Sequence, residues 1–349
     1  MTDRQWQALL ALLNGERLSP CPAGFIIDSP WLPHWAGMSI LDYYASDDLW
    51  LNANLRAIET FPEVIFLPGF WAEYGMCTEP SAFGARCAFP PDEFPFAHKT
   101  IRSIEDIDAL EPPNPRTDGL APFVLNRLSR FRPAITDAGH KIRFSVSRGP
   151  LNMASFLMGV NEFLMALVTD PERVHRLLAV ITDYLAGWHA VQREAFSSID
   201  GVFVLDDIIG FMSGAHFREF GLPYFRKLFD VPVSVKFLHN DADCRVSAPY
   251  LPEMGVNLFN MGPEIPLRDL KALTKNQVTL MGNIPPRDVM ANGAPEDVRA
   301  AVKAQFAALD DMTRILFSCG GGMPPGVSTE NVKAFVETVQ VLSQKEAEK

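Results

Sequence analysis

Six times between residue 142 and the C-terminus the chain repeats one pattern: a short β-branched or aromatic run, a polar or glycine break, then a stretch of helical period. "RFSVSRGP" precedes "LNMASFLMG", "VFVLDDIIG" precedes "HFREFGLPYFRKLF", and "VSVKFLHND" precedes "SAPYLPEMG". "VNLFNMGPEIP" then leads to "LRDLKAL", "VTLMGNIPP" to a helix opened by Pro295, and "RILFSCGGGMPPG" to "TENVKAFVETVQVL". Strands alternating with helices demand a parallel sheet with crossover connections. Adding "GFIIDSP" and "VIFLPGF" upstream brings the strands to about eight, so the expected fold class is α/β, a (β/α)8 TIM barrel with N-terminal helical and loop additions. A doubly wound sheet is the alternative, but its G-x-G-x-x-G fingerprint after a first strand is missing.

No internal repeat or Gly/Ser linker divides the chain, so residues 1–349 read as one domain, with "SQKEAEK" as a loose charged end. Asp170 followed by Pro171 reads as the cap and first position of a long helix. Its Val174, Leu177, Leu178, Ile181 and Leu185 form one apolar stripe that packs on the sheet. Val332, Phe335, Val336, Val339 and Leu342 repeat that pattern in a final helix capped by Ser328 or Thr329.

Charge removes several classes of function. The formal net charge is −11 and no Lys/Arg block occurs, so nothing would neutralise a nucleic-acid backbone or an anionic membrane surface. No apolar run reaches membrane-spanning length and "MTDRQWQALL" lacks a secretory pattern, so the expected location is the cytoplasm. Five scattered cysteines, an odd number, read as reduced thiols.

The strand tips carry the chemistry. In a (β/α)8 barrel the C-terminal ends of the strands meet at one mouth. Here they end in Ser147-Arg148-Gly149, Asp206-Asp207, His239-Asn240-Asp241, Asn260-Met261-Gly262, Gly282-Asn283 and Cys319-Gly320-Gly321-Gly322. Any one of these could be only a turn or a cap; six together point to a site. His239 and Asp241, two residues apart, project to one side and can share a ligand, or the carboxylate can orient the ring. Asp206 and Asp207 project oppositely, so at most one faces the mouth, where burial beside another acid would raise its pKa and make it a proton donor.

The tracts "GPLNMASFLMG", "LDDIIGFMSG", "HNDADC", "LMGNIPPRDVMANGAPEDV" and "SCGGGMPPGVSTENVKAFVETV" resemble the uroporphyrinogen decarboxylase superfamily, which also holds corrinoid-dependent methyltransferases. Asp206 and Ser213 match the Asp and Ser of that superfamily's pocket frame. The decarboxylase's arginine-rich N-terminal stretch corresponds to "NGERLSPCPAGFIIDSPWLPHW", poor in arginine, and its "GHG" corresponds to Gly320-Gly321-Gly322; both departures argue against a porphyrin substrate. The methyltransferase branch is the closer likeness. Its zinc members carry His-x-Cys on one strand end and a Cys before "PPGxxxEN"; here stand His239-x-Asp241 and Gly321, with Cys319 two residues earlier. A His239, Asp241 and Cys319 set would be a chemically sound Zn²⁺ site, harder than its thiolate counterpart. Glu79 resembles a further acid of the superfamily.

The resemblance implies a methyltransferase component that passes a methyl group to a corrinoid (cobalamin) carried by a partner protein, and the loss of the thiolate ligands together with the aromatic N-terminal half points to a small aromatic methyl ether as the donor. A phenol of pKa about 10 leaves poorly at neutral pH without a proton or a metal. Asp207, Asp206 or the His239–Asp241 pair would supply the proton, worth roughly 10²–10⁴-fold. Trp31, Trp35, Trp71, Tyr74 and Phe83 offer aromatic surface for the donor, with Glu79, Arg148, Ser213, Asn260 and Asn283 as further substrate contacts. Two other readings stay open: a decarboxylase of a non-porphyrin acid, and an inactive binding barrel.

Overall fold

The computed structural model describes residues 1–27 and 30–347, so Asp28 and Ser29 of the "GFIIDSP" tip and the last two residues of the tail lie outside the described residues. Among the described residues eight parallel strands follow the expected order: β1 (Gly24–Ile26), β2 (Ile65–Leu67), β3 (Phe144–Arg148), β4 (Gly201–Leu205), β5 (Val235–Asn240), β6 (Leu258–Met261), β7 (Thr279–Ile284) and β8 (Ile315–Cys319). Strands β3 to β8 form one continuous ladder in sequence order. Strand β1 pairs with β2, and a parallel bridge from Ala23 to Phe317 joins β1 to β8. The mixed α/β chain is thus a TIM-barrel type fold.

Side-chain alternation sorts each strand into an inner and an outer set. Phe203, Leu205, Val235, Phe237, Leu258, Met281 and Leu316 form the inner cluster, while Val202, Val204, Leu238, Phe259, Leu280, Ile315 and Phe317 join the larger cluster under the helices. The helix Asp3–Leu13 plugs the inner cluster from below through Trp6, Leu9, Leu12 and Leu13. Each such leucine contributes about 1.5–3 kcal/mol by leaving water. Aromatic rings then climb the axis: Trp6 meets Phe144 edge-on at 5.6 Å, Phe203 stacks on Phe237 at 4.2 Å, and Trp71 tops Phe203 at 5.7 Å. The barrel interior below the mouth is therefore packed with aromatic and aliphatic side chains, with Trp71 at the top of the stack.

The capped helix runs Pro171–Ala195, with the Asp170 side chain accepting from the Arg173 N–H and its expected apolar stripe fully buried. Asn331 N–H donates to Ser328 Oγ at the start of the last helix, Thr329–Ala347. That helix takes up the "SQKEA" part of the tail expected to be loose, so Ser343–Ala347 are helical. "SAPYLPEMG" departs more sharply, forming only a 3₁₀ turn at Ala248–Tyr250 followed by turns. Pro249 and Pro252 remove the amide donors that a regular helix needs there. Among the described residues no single helix is long and apolar enough to cross a membrane.

Candidate active site

Inner-face alternation decides which tips reach the mouth. Continuing the inner series of β3, β4, β5 and β6 by one step delivers Arg148, Asp207, His239 and Asn260; the outer series delivers Asp206 and Cys319. His239 is 6% exposed. Its Nε2 lies 3.6 Å from Asp241 Oδ1 and 4.0 Å from Asp207 Oδ1, and the Asp241 N–H donates to Asp207 Oδ1 at 2.7 Å. The expected partnership of His239 with Asp241 is present, and Asp207 joins it.

Asn260 sets the imidazole. Its Nδ2 donates to the carbonyls of Met281, at 2.7 Å, and Cys319, so its Oδ1 faces His239 Nδ1 at 2.7 Å as an acceptor. The histidine must carry a proton on Nδ1, leaving Nε2 toward the carboxylates. Burial by itself would lower the His239 pKa, but the charges of Asp241 and Asp207 and the bond to Asn260 lift it above the usual 6.5. Partial burial raises the Asp241 carboxyl and outweighs the pull of His239, with Asp207 and Glu264 adding to the rise. Both shifts favour the protonated forms of His239 and Asp241.

These groups open on a cavity of about 300 Å³ lined by Trp71, Glu73, Phe94, Arg148, Leu205, His239 and Asp241, and roofed by Pro286, Arg287 and the Gly322–Pro325 tract. That size sits at the low end for small-molecule pockets. The Arg148 guanidinium spans two aromatic faces, 5.6 Å from the Trp71 ring and 5.8 Å from Phe94. It pairs with Glu73 at 2.5 Å and donates to the Gly75 carbonyl, while the backbone N–H of Arg148 donates to Glu79 Oε1 at 3.1 Å. Arg148 is 8% exposed; burial would lower its pKa, but Glu73 and Glu79 more than compensate and keep it charged. Glu79 is not a loop acid at the surface: it is 4% exposed, and burial raises its pKa against the pull of Arg148.

Several expected site residues lie elsewhere. Asp206 is fully buried and turned away from the cavity, its Oδ2 accepting from the Leu151 and Asn152 N–H groups at the start of Pro150–Met158. Burial pushes its pKa well up, yet it caps a helix rather than touching a substrate, which corrects its assignment as a proton donor. Asn260 positions His239 and does not line the cavity. Asn283 faces the helices, donating to the Ile265 carbonyl at 2.6 Å and accepting from Gln305 at 3.0 Å. The alternation that would have turned it inward is not kept beyond Gly282. Ser213 caps the short Gly214–His216 helix through its hydroxyl. Tyr74 stacks on Tyr44 under Arg127, and Phe83 packs edge-on against Tyr184. Trp31 and Trp35 stack on each other in the core, their ring N–H groups donating to Val327 and Thr329. Of the expected aromatics only Trp71 borders the cavity.

The expected metal set does not assemble. Cys319 is buried in the outer cluster with Ile315 and Phe317, its Sγ toward the Gly321 carbonyl at 3.5 Å. Among the described residues no three His, Cys, Asp or Glu side chains are grouped to hold a metal ion. Gly321 has φ +73° and a Cβ built on it would meet Asp241 Oδ1 at 2.2 Å. The Asp241 carboxylate thus fills the place of any side chain at 321, so the residues present do not fit the zinc set. Glu73 and Phe94 escaped the sequence reading because both lie on connections after β2, outside every strand tip; only the Pro-flanked "FPPDEFPF" marked Phe94's segment as a turn.

A family model described as uroporphyrinogen decarboxylase (URO-D) matches residues 7–342. The uroporphyrinogen decarboxylase of Alcanivorax borkumensis is 27% identical over 88% of this chain and 87% of its own, and that of Cellvibrio japonicus 28% over 90% and 92%. Among solved structures, a methyltransferase from Methanosarcina mazei superposes with a TM-score of 0.81 at 18% identity, covering 97% of this chain and 98% of that one. A B12-independent methionine synthase from Shewanella sp. W3-18-1 superposes at 0.55 with 10% identity over 95% and 98%. At those identities the two structures speak to the fold.

Proposed function

This chain belongs to the uroporphyrinogen decarboxylase (URO-D) family, and on that premise we propose that it is a methyltransferase component that demethylates a small aromatic methyl ether in favour of a corrinoid-carrying partner protein. The observation that carries the reading is His239, hydrogen-bonded to Asn260 and ion-paired with Asp241 at 3.6 Å beside Asp207, opening on a cavity of about 300 Å³ with Trp71 and Phe94 on its walls. A single ring suits that volume; a tetrapyrrole does not. The fold shared with the Methanosarcina mazei methyltransferase adds support by analogy.

The corrinoid on the partner supplies the nucleophile that accepts the methyl group. The chain's own work is to hold the ether and to discharge the developing phenoxide. Trp71 and Phe94 present ring faces, and Arg148, held by Glu73, fixes their spacing by lying between them. Imidazolium Nε2–H of His239 is the donor aimed into the cavity, and it gives its proton to the ether oxygen as the C–O bond breaks. Asp241 and Asp207 keep that proton available by raising the basicity of the ring, and Asn260 keeps the ring from turning. Pro286, Met323, Pro324 and Pro325 cover the cavity with surface that offers no N–H to a competing water at three of four positions.

The test is a methyl-transfer assay with methoxyaromatics, a cognate corrinoid protein, and thiols and methylamines as controls. Turnover of methoxyaromatics that falls roughly 10²–10⁴-fold in His239→Gln supports the reading; turnover of thiols alone rejects it. A second reading, decarboxylation of a small acid, is favoured by Arg287 on the cavity roof, a cation suited to a carboxylate, and by the names of the curated relatives. Carbon dioxide release with no corrinoid present would select it.

A further inference from the structure

Cys77 lies inside the clamp on Arg148, between Gly75 and Glu79, and its thiol is hydrogen-bonded to that of Cys87. Cys87 Sγ lies 3.9 Å from the Cys77 carbonyl and 3.6 Å from that of Ala85. The two cysteines belong to different pieces of the cavity wall. Cys77 ends the Gly75–Cys77 turn, whereas Cys87 starts a two-stranded hairpin, Cys87–Ala88 against Phe96–Ala97, whose connection carries Phe94. The pieces already touch, since the Met76 N–H donates to the Pro95 carbonyl at 3.0 Å and a Cβ on Gly75 would meet Pro95 Cδ at 2.9 Å.

We infer that Cys77 and Cys87 are a reversible thiol–disulfide site that locks the Phe94 hairpin against the Arg148 clamp. Cys87 is the attacking thiol. It is half-buried where Cys77 is fully buried, and the hydrogen bond from Cys77 holds its pKa below the ordinary value while raising that of Cys77. Cys21 and Cys244 are buried and pushed up to about 12, so they stay inert at neutral pH. With a peroxide as oxidant, the Cys87 thiolate attacks one oxygen, the O–O bond breaks, and hydroxide leaves as the sulfur becomes a sulfenic acid. Cys77 sulfur then attacks Cys87 sulfur, the S–O bond breaks, and the hydroxyl departs as water with the Cys77 proton. Two electrons pass from the thiols to the peroxide. A dithiol reverses the change by exchange through a mixed disulfide. Closing the bond brings the sulfurs from hydrogen-bond contact to about 2.05 Å, drawing Phe94 toward the cavity.

Full-length reduced protein treated with a small excess of hydrogen peroxide decides the matter without any methyl donor, so the outcome is independent of the reading above. The titratable thiols of the unfolded product fall from five to three, and peptide mapping finds Cys77 joined to Cys87, reversibly with dithiothreitol. Cys87→Ser retains its four thiols under the same treatment. In Cys77→Ala the sulfenic acid on Cys87 persists and is trapped by a dimedone probe. Should Cys77→Ala fail to fold, alkylation of the native wild type serves instead, with Cys87 labelled about tenfold faster than any other cysteine. A crosslink between any other pair, consumption of peroxide with Cys77 and Cys87 both still reduced, or equal labelling rates would overturn the proposal.

Discussion

Replacing Asn260 by leucine isolates what holds His239 in its protonation state. Asn260 is fully buried and its Oδ1 receives the Nδ1 proton at 2.7 Å. Leucine keeps most of the volume but cannot accept. A hydrogen bond to a charged group is worth about 1.5–3 kcal/mol, and each pKa unit corresponds to about 1.36 kcal/mol, so the His239 pKa should drop by roughly one to two units. Burial, which already opposes the charge, then weighs more heavily. The assay is an NMR titration of isotope-labelled histidine in the intact protein, with His239→Gln to assign its signal among the seven histidines. The raised pKa of His239 also contributes stability that is complete below pH 6.5 and is lost as pH rises through the folded value. Denaturant unfolding should therefore find Asn260→Leu furthest below wild type in acid and closest to it at alkaline pH. A His239 signal titrating at the same pH in both proteins would refute the reasoning, because Asn260 would then not govern the ring.

Gly321→Ala forces a Cβ to within 2.2 Å of Asp241 Oδ1 at a positive-φ position, so it should cost about 1–3 kcal/mol in denaturant unfolding and, by displacing the carboxylate, reduce methyl transfer by roughly 10²-fold. Arg148→Leu strands Glu73 without its buried partner; urea midpoints should report a loss of about 3–5 kcal/mol, and Arg148→Leu combined with Glu73→Gln should recover much of it. Leu9→Ala in the plug helix should cost about 2–5 kcal/mol by calorimetry or denaturant, with KM unchanged because the plug lies at the end of the barrel opposite the cavity. Prolonged dialysis against a chelator should leave methyl transfer intact, since among the described residues no three donors are grouped to hold a metal ion; a stoichiometric metal lost in His239→Ala would reverse that expectation.

The barrel could be read from one dimension because its signals are local. A period-2 strand or a Pro-opened helix is written in adjacent residues, so the strands from β3 onward and the Asp170 cap emerged near their observed places. His239 and Asp241 emerged for the same reason, being two residues apart at the tip of one strand. Asp206 against Asp207 was half legible: alternation says that only one turns inward, but the inner cluster is needed to say which. Cys319 failed on that point, since it shares the outer face with Ile315 and Phe317. Asn283 failed because its orientation follows from Gln305 on a helix and the Ile265 carbonyl in a loop, not from strand parity.

What the sequence determined alone is the periodicity, and with it the count of strands, the burial of one face of each helix, and the pool of polar groups near the mouth. What tertiary structure decided is which members of that pool meet. Contacts such as Glu73 with Arg148, 75 residues apart, depend on how irregular connections pack, and their geometry is set by many distant side chains at once. The expected zinc set fails in part at one such contact, the Asp241 carboxylate against Gly321, where two segments 80 residues apart compete for the same few cubic ångströms.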